Sequence, residues 1–97
     1  MTGITRSSEG LDPRRRRILF RSWHRGIREM DLIMGRFAET TIADMTDAEL
    51  DTFEQLMDLP DPDVLAWITG EQETPPEYRS ALLDRLRAFH LKLGDHR

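Results

Sequence analysis

Four helix-opening signals recur along the chain, at Asp12-Pro13, Thr46–Glu49, Asp61-Pro62 and Thr74–Glu77, and they constrain the fold more than any other feature. Asp12 offers a side-chain oxygen to unpaired backbone N–H groups, and Pro13 sits at the first helical position, where a missing N–H costs nothing. Asp61-Pro62 repeats that arrangement. Thr46-Asp-Ala-Glu49 and Thr74-Pro-Pro-Glu77 have the spacing of reciprocal capping boxes. Stop signals interleave with the starts: Gly26, Gly70 and Gly94 each follow a stretch of helical period. One Val against twelve Leu and five Met is poor material for strands.

Five helices are predicted. The first runs from Pro13 to about His24. The second starts near Ile27 and sets Met30, Ile33, Met34, Phe37 and Ala38 on one face at three- and four-residue steps. The third turns Leu50, Phe53, Leu56 and Met57 inward. A short fourth passes through Leu65 and Ile68. The fifth, opened by the Thr74 box and ended by Gly94, carries Tyr78, Leu82, Leu86, Phe89 and Leu93. Short connections make this an all-α fold, a small five-helix antiparallel bundle.

Ninety-seven residues suffice for one domain. Residues 1–10 are small, polar and aperiodic and read as a disordered leader, residues 11–93 as the bundle, and residues 94–97 as a flexible tail. No apolar run approaches the roughly 20 residues of a membrane span, so no membrane insertion is expected. Nor does an apolar stretch follow the first basic residues as in a secretory signal. The absence of Cys removes disulfides, thiol nucleophiles and thiolate zinc sites. The expectation is a monomer of the bacterial cytoplasm, or of the mitochondrial matrix if the source is eukaryotic.

Charge is segregated along the chain. Residues 1–36 hold nine Arg against four acids, and residues 37–78 hold twelve acids and neither Lys nor Arg. Residues 79–97 carry five bases and two acids. An acidic chain with one basic segment does not suit general nucleic-acid binding, but it can present a cationic surface to one partner.

Catalysis has no evident seat. His24, His90 and His96 lack metal-ligand spacing, and no nucleophile elbow or glycine-rich phosphate loop occurs. The acids distribute to helix ends and exposed faces, where they favour caps and solubility. The chain reads as a non-enzyme without a metal site.

The first two helices carry the strongest functional signal. Arg14, Arg17, Arg21, Arg25 and Arg28 would form one stripe on a continuous helix, where like charges cost about 0.2–0.5 kcal/mol per pair. Two sources could offset that cost. One is the chain's own acidic segment, favoured for Arg14 to Arg17; the other is an acidic or phosphate-bearing partner engaged by arginine forks. Gly26 interrupts the helical pattern either as a turn with positive φ or as a missing Cβ that lets another surface approach. Arg25 precedes Glu29 by four residues, the less favourable order for an intrahelical pair. Trp23 adds a large amphipathic side chain nearby.

Arg25-Gly26-Ile27-Arg28-Glu29 resembles the RGxxE signature of the succinate dehydrogenase assembly factors, the SdhE-type flavinators. Its setting agrees: a preceding Arg-rich helix, Met-Asp after the Glu, and Phe37-Ala38-Glu39 further on. Met45–Leu50 and Asp61–Trp67 are similar to the family's third-helix start and its DPDxxxW stretch. The resemblance spans residues from about 14 to 92.

It implies a five-helix bundle that binds the flavoprotein subunit of succinate dehydrogenase, with fumarate reductase as a further candidate, and promotes covalent attachment of FAD to a histidine of that subunit. The chain itself would hold no cofactor stably. The partner-facing role passes to Arg25, Gly26 and Glu29, with Arg28, Arg21 and Trp23 beside them. In that scheme Arg25 pairs with an acidic group near the flavin entrance and Gly26 permits close docking. Three alternatives stand beside it: a nucleic-acid module using the arginine stripe, a carrier of free FAD, and a bundle whose arginines serve only internal pairs.

Overall fold

The computed structural model describes residues 10–95. Five α-helices follow in order: α1 (Pro13–Trp23), α2 (Arg28–Thr41), α3 (Asp47–Met57), α4 (Asp61–Thr69) and α5 (Ala81–Asp95). Two 3₁₀ turns, Ile42–Asp44 and Pro76–Tyr78, join α2 to α3 and α4 to α5. The expected all-α bundle is what forms. The predicted leader, apart from Gly10, and the last two residues of the tail lie outside the described residues, while α5 itself runs one residue past Gly94.

The local signals act much as anticipated. Asp12 accepts from the Arg15 N–H at 3.3 Å. Thr46 Oγ1 accepts from the Glu49 N–H at 3.1 Å, and Glu49 Oε1 accepts from the Thr46 N–H at 2.9 Å, completing the capping box. Gly70 closes α4 in the left-handed region, with φ 83°.

Two starts differ from expectation. Thr74-Pro75-Pro76-Glu77 does not open α5; it makes a 3₁₀ turn, and Arg79 is extended. α5 begins at Ala81, where Ser80 Oγ accepts from the Leu83 N–H at 3.0 Å. Tyr78 therefore leaves the helix and stacks on Trp67, ring centroids 5.4 Å apart. Asp61 is not the cap of α4 either: the N-cap is Pro60, no side chain caps it, and the Asp61 carboxylate is drawn elsewhere.

The inward faces pack as their spacing required. Met30, Ile33, Met34, Phe37 and Ala38 of α2 join Leu50, Phe53, Leu56 and Met57 of α3 in one core, with Leu82, Leu83 and Leu86 of α5. Phe37 sits at the junction, edge-on to Phe53 at 5.9 Å and to Phe89 at 5.6 Å. α1 lies across this core with Ile18, Leu19 and Trp23 buried.

Charged rungs fix how α1 lies on α3. Arg14 reaches Asp51 and Glu54, Arg21 reaches Asp58, and Arg25 reaches Asp61. Partners rise in the same order along both segments, so α1 and α3 run parallel. Much of the arginine stripe is thus answered by the chain's own acids.

Candidate functional site at the α1–α2 corner

The chain reverses between Trp23 and Arg28, and each residue of the reversal has a separate task. The His24 N–H still bonds to the Arg21 carbonyl at 3.2 Å, ending α1. Gly26 turns the chain at φ +100°, a conformation that side chains rarely adopt. An ideal Cβ there would meet nothing within 4 Å of the chain itself, so it is the positive φ, and not crowding within the chain, that calls for glycine here. Ile27 is extended and serves as N-cap of α2 without a side-chain oxygen.

Asp31, in the first turn of α2, ties down the backbone of the reversal itself. Its Oδ1 accepts from the backbone N–H of Arg25 at 2.5 Å and of Gly26 at 3.3 Å. With Glu29 it also places negative charge in the first turn of α2, where the helix dipole favours it.

Arg25 does not point outward. Its Nη2 lies 2.9 Å from Asp61 Oδ1 and 2.5 Å from the Met57 carbonyl, and its Nε also donates to Asp61. The two side chains are 10% and 13% exposed. The expected acid on a partner is not what holds this guanidinium in the free chain: its Nε and Nη2 donate to Asp61 and the Met57 carbonyl at the α3–α4 junction, a charge-assisted arrangement.

Trp23 is likewise withdrawn, only 6% exposed. Its indole lies flat on Gly35 of α2, where a Cβ would overlap three ring atoms. The expectation that Trp23 contacts a partner is corrected to a core role, because burying the ring against a glycine removes it from the surface. Its Nε1–H is buried without a hydrogen-bond partner.

Arg28, Gly26 and Glu29 remain on the surface. Among the described residues neither the Arg28 nor the Glu29 side chain forms an ion pair or hydrogen bond. Arg21 lies between the two groups, paired with Asp58 at 2.9 Å yet 40% exposed. The candidate set therefore divides: Arg25 and Trp23 hold the corner from behind, while Gly26, Arg28 and Glu29 form its outer edge.

Sequence reasoning missed three supporting residues. Asp31 was legible as a first-turn acid close behind a helix break. Gly35 was legible as a glycine in mid-helix, where it costs roughly 1 kcal/mol against Ala and so marks a close approach. The pairing of Asp61 with Arg25 has no local signal.

The stretch matched in known proteins includes this corner. A family model described as "Flavinator of succinate dehydrogenase" matches residues 16–90, from the middle of α1 to near the end of α5. The chain belongs to this family. A flavinator relative in Acetobacter pasteurianus, named FAD assembly factor SdhE, is 36% identical over 80 residues, covering 82% of this chain and 73% of its own. Mitochondrial succinate dehydrogenase assembly factor 2 from Scheffersomyces stipitis is 38% identical over 73 residues, 75% of this chain and 49% of its own. The protein of that name from Dictyostelium discoideum is 34% identical over 82 residues, covering 84% and 57%. The chain thus spans about half the length of these mitochondrial relatives. Among the described residues no helix is long and apolar enough to cross a membrane, and no group of three or more His, Cys, Asp or Glu side chains could hold a metal ion.

Proposed function

We propose that this chain binds the flavoprotein subunit of succinate dehydrogenase and promotes covalent attachment of FAD to it, acting as a monomeric assembly factor rather than as an enzyme. The observation that carries this reading is the family match over residues 16–90. FAD belongs to the partner throughout. The encounter takes place where that subunit matures, in the bacterial cytoplasm or the mitochondrial matrix, and a fumarate reductase flavoprotein is a second candidate client.

The physical task is one of proximity. A flavin carbon and an acceptor imidazole must be held in a reactive geometry, and fixing such a geometry can supply several kcal/mol of a barrier. A small rigid bundle achieves this by binding one arrangement of the flavoprotein better than others, a shift limited by its differential affinity. Gly26, Arg28 and Glu29 support that role because they combine exposure with a backbone held by Asp31 and Arg25. Arg28 offers a fork to carboxylates or phosphates, and Glu29 accepts from N–H donors. In place of direct contact, Arg25 contributes the shape of the corner.

The test mixes purified apo-flavoprotein and FAD with or without this chain, and reads covalent flavin by fluorescence after denaturing electrophoresis. Wild type raises the covalent signal. Glu29→Gln and Arg28→Ala, both at exposed sites, keep the native circular dichroism and lose most of that increase. Unchanged flavin incorporation with either folded variant removes that residue from the site.

A further inference from the structure

On α1 the arginines part company. Arg14, Arg15 and Arg21 turn toward the bundle and take Asp51, Glu54 and Asp58 or the carbonyls of Ile42 and Met45. Arg16 and Arg17 face away and have no ion-pair or hydrogen-bond partner among the described residues. One turn further on the same face lies Phe20, whose ring is 61% exposed. Phe20 is also held in place: it stacks on His24 with centroids 4.0 Å apart and planes 17° apart, and the His24 Nδ1 lies 2.7 Å from the Phe20 carbonyl. Pro13, Arg16, Arg17, Phe20 and Arg21 together line an open hollow.

We propose that this outer face of α1 docks an acidic segment of the partner flavoprotein, as a contact additional to the Gly26–Glu29 corner; the proposal rests on the reading of that subunit as the client. Charge complementarity identifies the occupant. Two neighbouring guanidinium forks suit carboxylates, as Arg14 and Arg21 of the same helix already demonstrate on Asp51, Glu54 and Asp58. The fixed Phe20–His24 platform gives an apolar surface for a side chain carried beside those acids. A nucleic-acid strand suits the face less well. Its continuous phosphates would run onto the acids that flank α1, since Asp51 and Asp58 are 73% and 70% exposed. A local acidic patch on a folded partner avoids them.

The experiment measures binding of wild type, Arg16→Glu/Arg17→Glu and Phe20→Ala to the apo-flavoprotein at low and physiological salt. None of these side chains is buried, so the native circular dichroism is retained. Placing two acids against an acidic segment is expected to weaken binding more than about tenfold, and wild-type affinity is expected to fall with salt while the reversed variant loses that dependence. Phe20→Ala weakens binding with little change in salt dependence. Equal affinity of wild type and the reversed variant overturns the proposal, as does tight binding of a fluorescent oligonucleotide, or self-association in sedimentation, that the reversal abolishes. Failure of wild type to bind the flavoprotein at all is a different result: it refutes the client assignment itself.

Discussion

Arg25 and Asp61 form a nearly buried ion pair that ties the α1–α2 corner to the start of α4, with Nη2 2.9 Å from Oδ1 and side chains 10% and 13% exposed. The Met57 carbonyl shares the same guanidinium. The arginine of the RGxxE signature is therefore a brace, and its carboxylate partner lies in the DPDxxxW stretch. These two sequence marks are two ends of one contact.

Asp61→Ala leaves a guanidinium withdrawn from water without its carboxylate. Breaking a buried pair by removing one partner costs about 3–5 kcal/mol, and the residual exposure here places the loss near about 3. Asp58→Ala breaks the far more exposed pair with Arg21 and costs less than about 1 kcal/mol. Urea denaturation of the two variants measures the difference.

Gly35→Ala sets a helix-propensity gain of about 1 kcal/mol against overlap with the Trp23 indole. Overpacking a core typically costs about 1–3 kcal/mol, and the obstacle here is a rigid ring, so the substitution destabilises on balance. A lower thermal midpoint and an altered near-ultraviolet tryptophan signal are the expected readings.

Asp31→Ala frees the N–H groups of Arg25 and Gly26 at the reversal. Losing these two hydrogen bonds at a part-exposed turn costs about 1 kcal/mol. Hydrogen exchange at residues 25–28 is expected to accelerate ahead of the helices, and flavin incorporation to fall as the corner loosens. Protection equal to wild type at those amides would remove Asp31 from the corner.

The Thr46 capping box responds to pH. The Thr46 N–H, followed by the Arg85 charge, holds the Glu49 carboxyl below the usual carboxylate range. A lowered folded value means this stabilisation is complete above the unfolded pKa of about 4.3 and is lost as pH falls through the folded value. Wild type is expected to lose stability between about pH 5 and pH 2 more steeply than Glu49→Gln, as read from urea midpoints across that range.

The sequence by itself determined where most helices begin and end and which faces turn inward, because caps and apolar spacing act over three or four residues. Asp12, the Thr46–Glu49 box, Gly70 and the buried rows of α2 and α3 are all of that local kind. It also displayed the family signature. Only the tertiary structure decided which contacts the signature residues make within the chain. Asp61 sits where a helix cap belongs, yet a charge-assisted fork from a side chain 36 residues earlier claims its carboxylate. Trp23 is amphipathic in any local reading, and the gap left by Gly35 twelve residues later makes it core. Which arginines are answered internally and which stay free depends on the parallel course of α1 and α3, a long-range relation that local spacing does not carry.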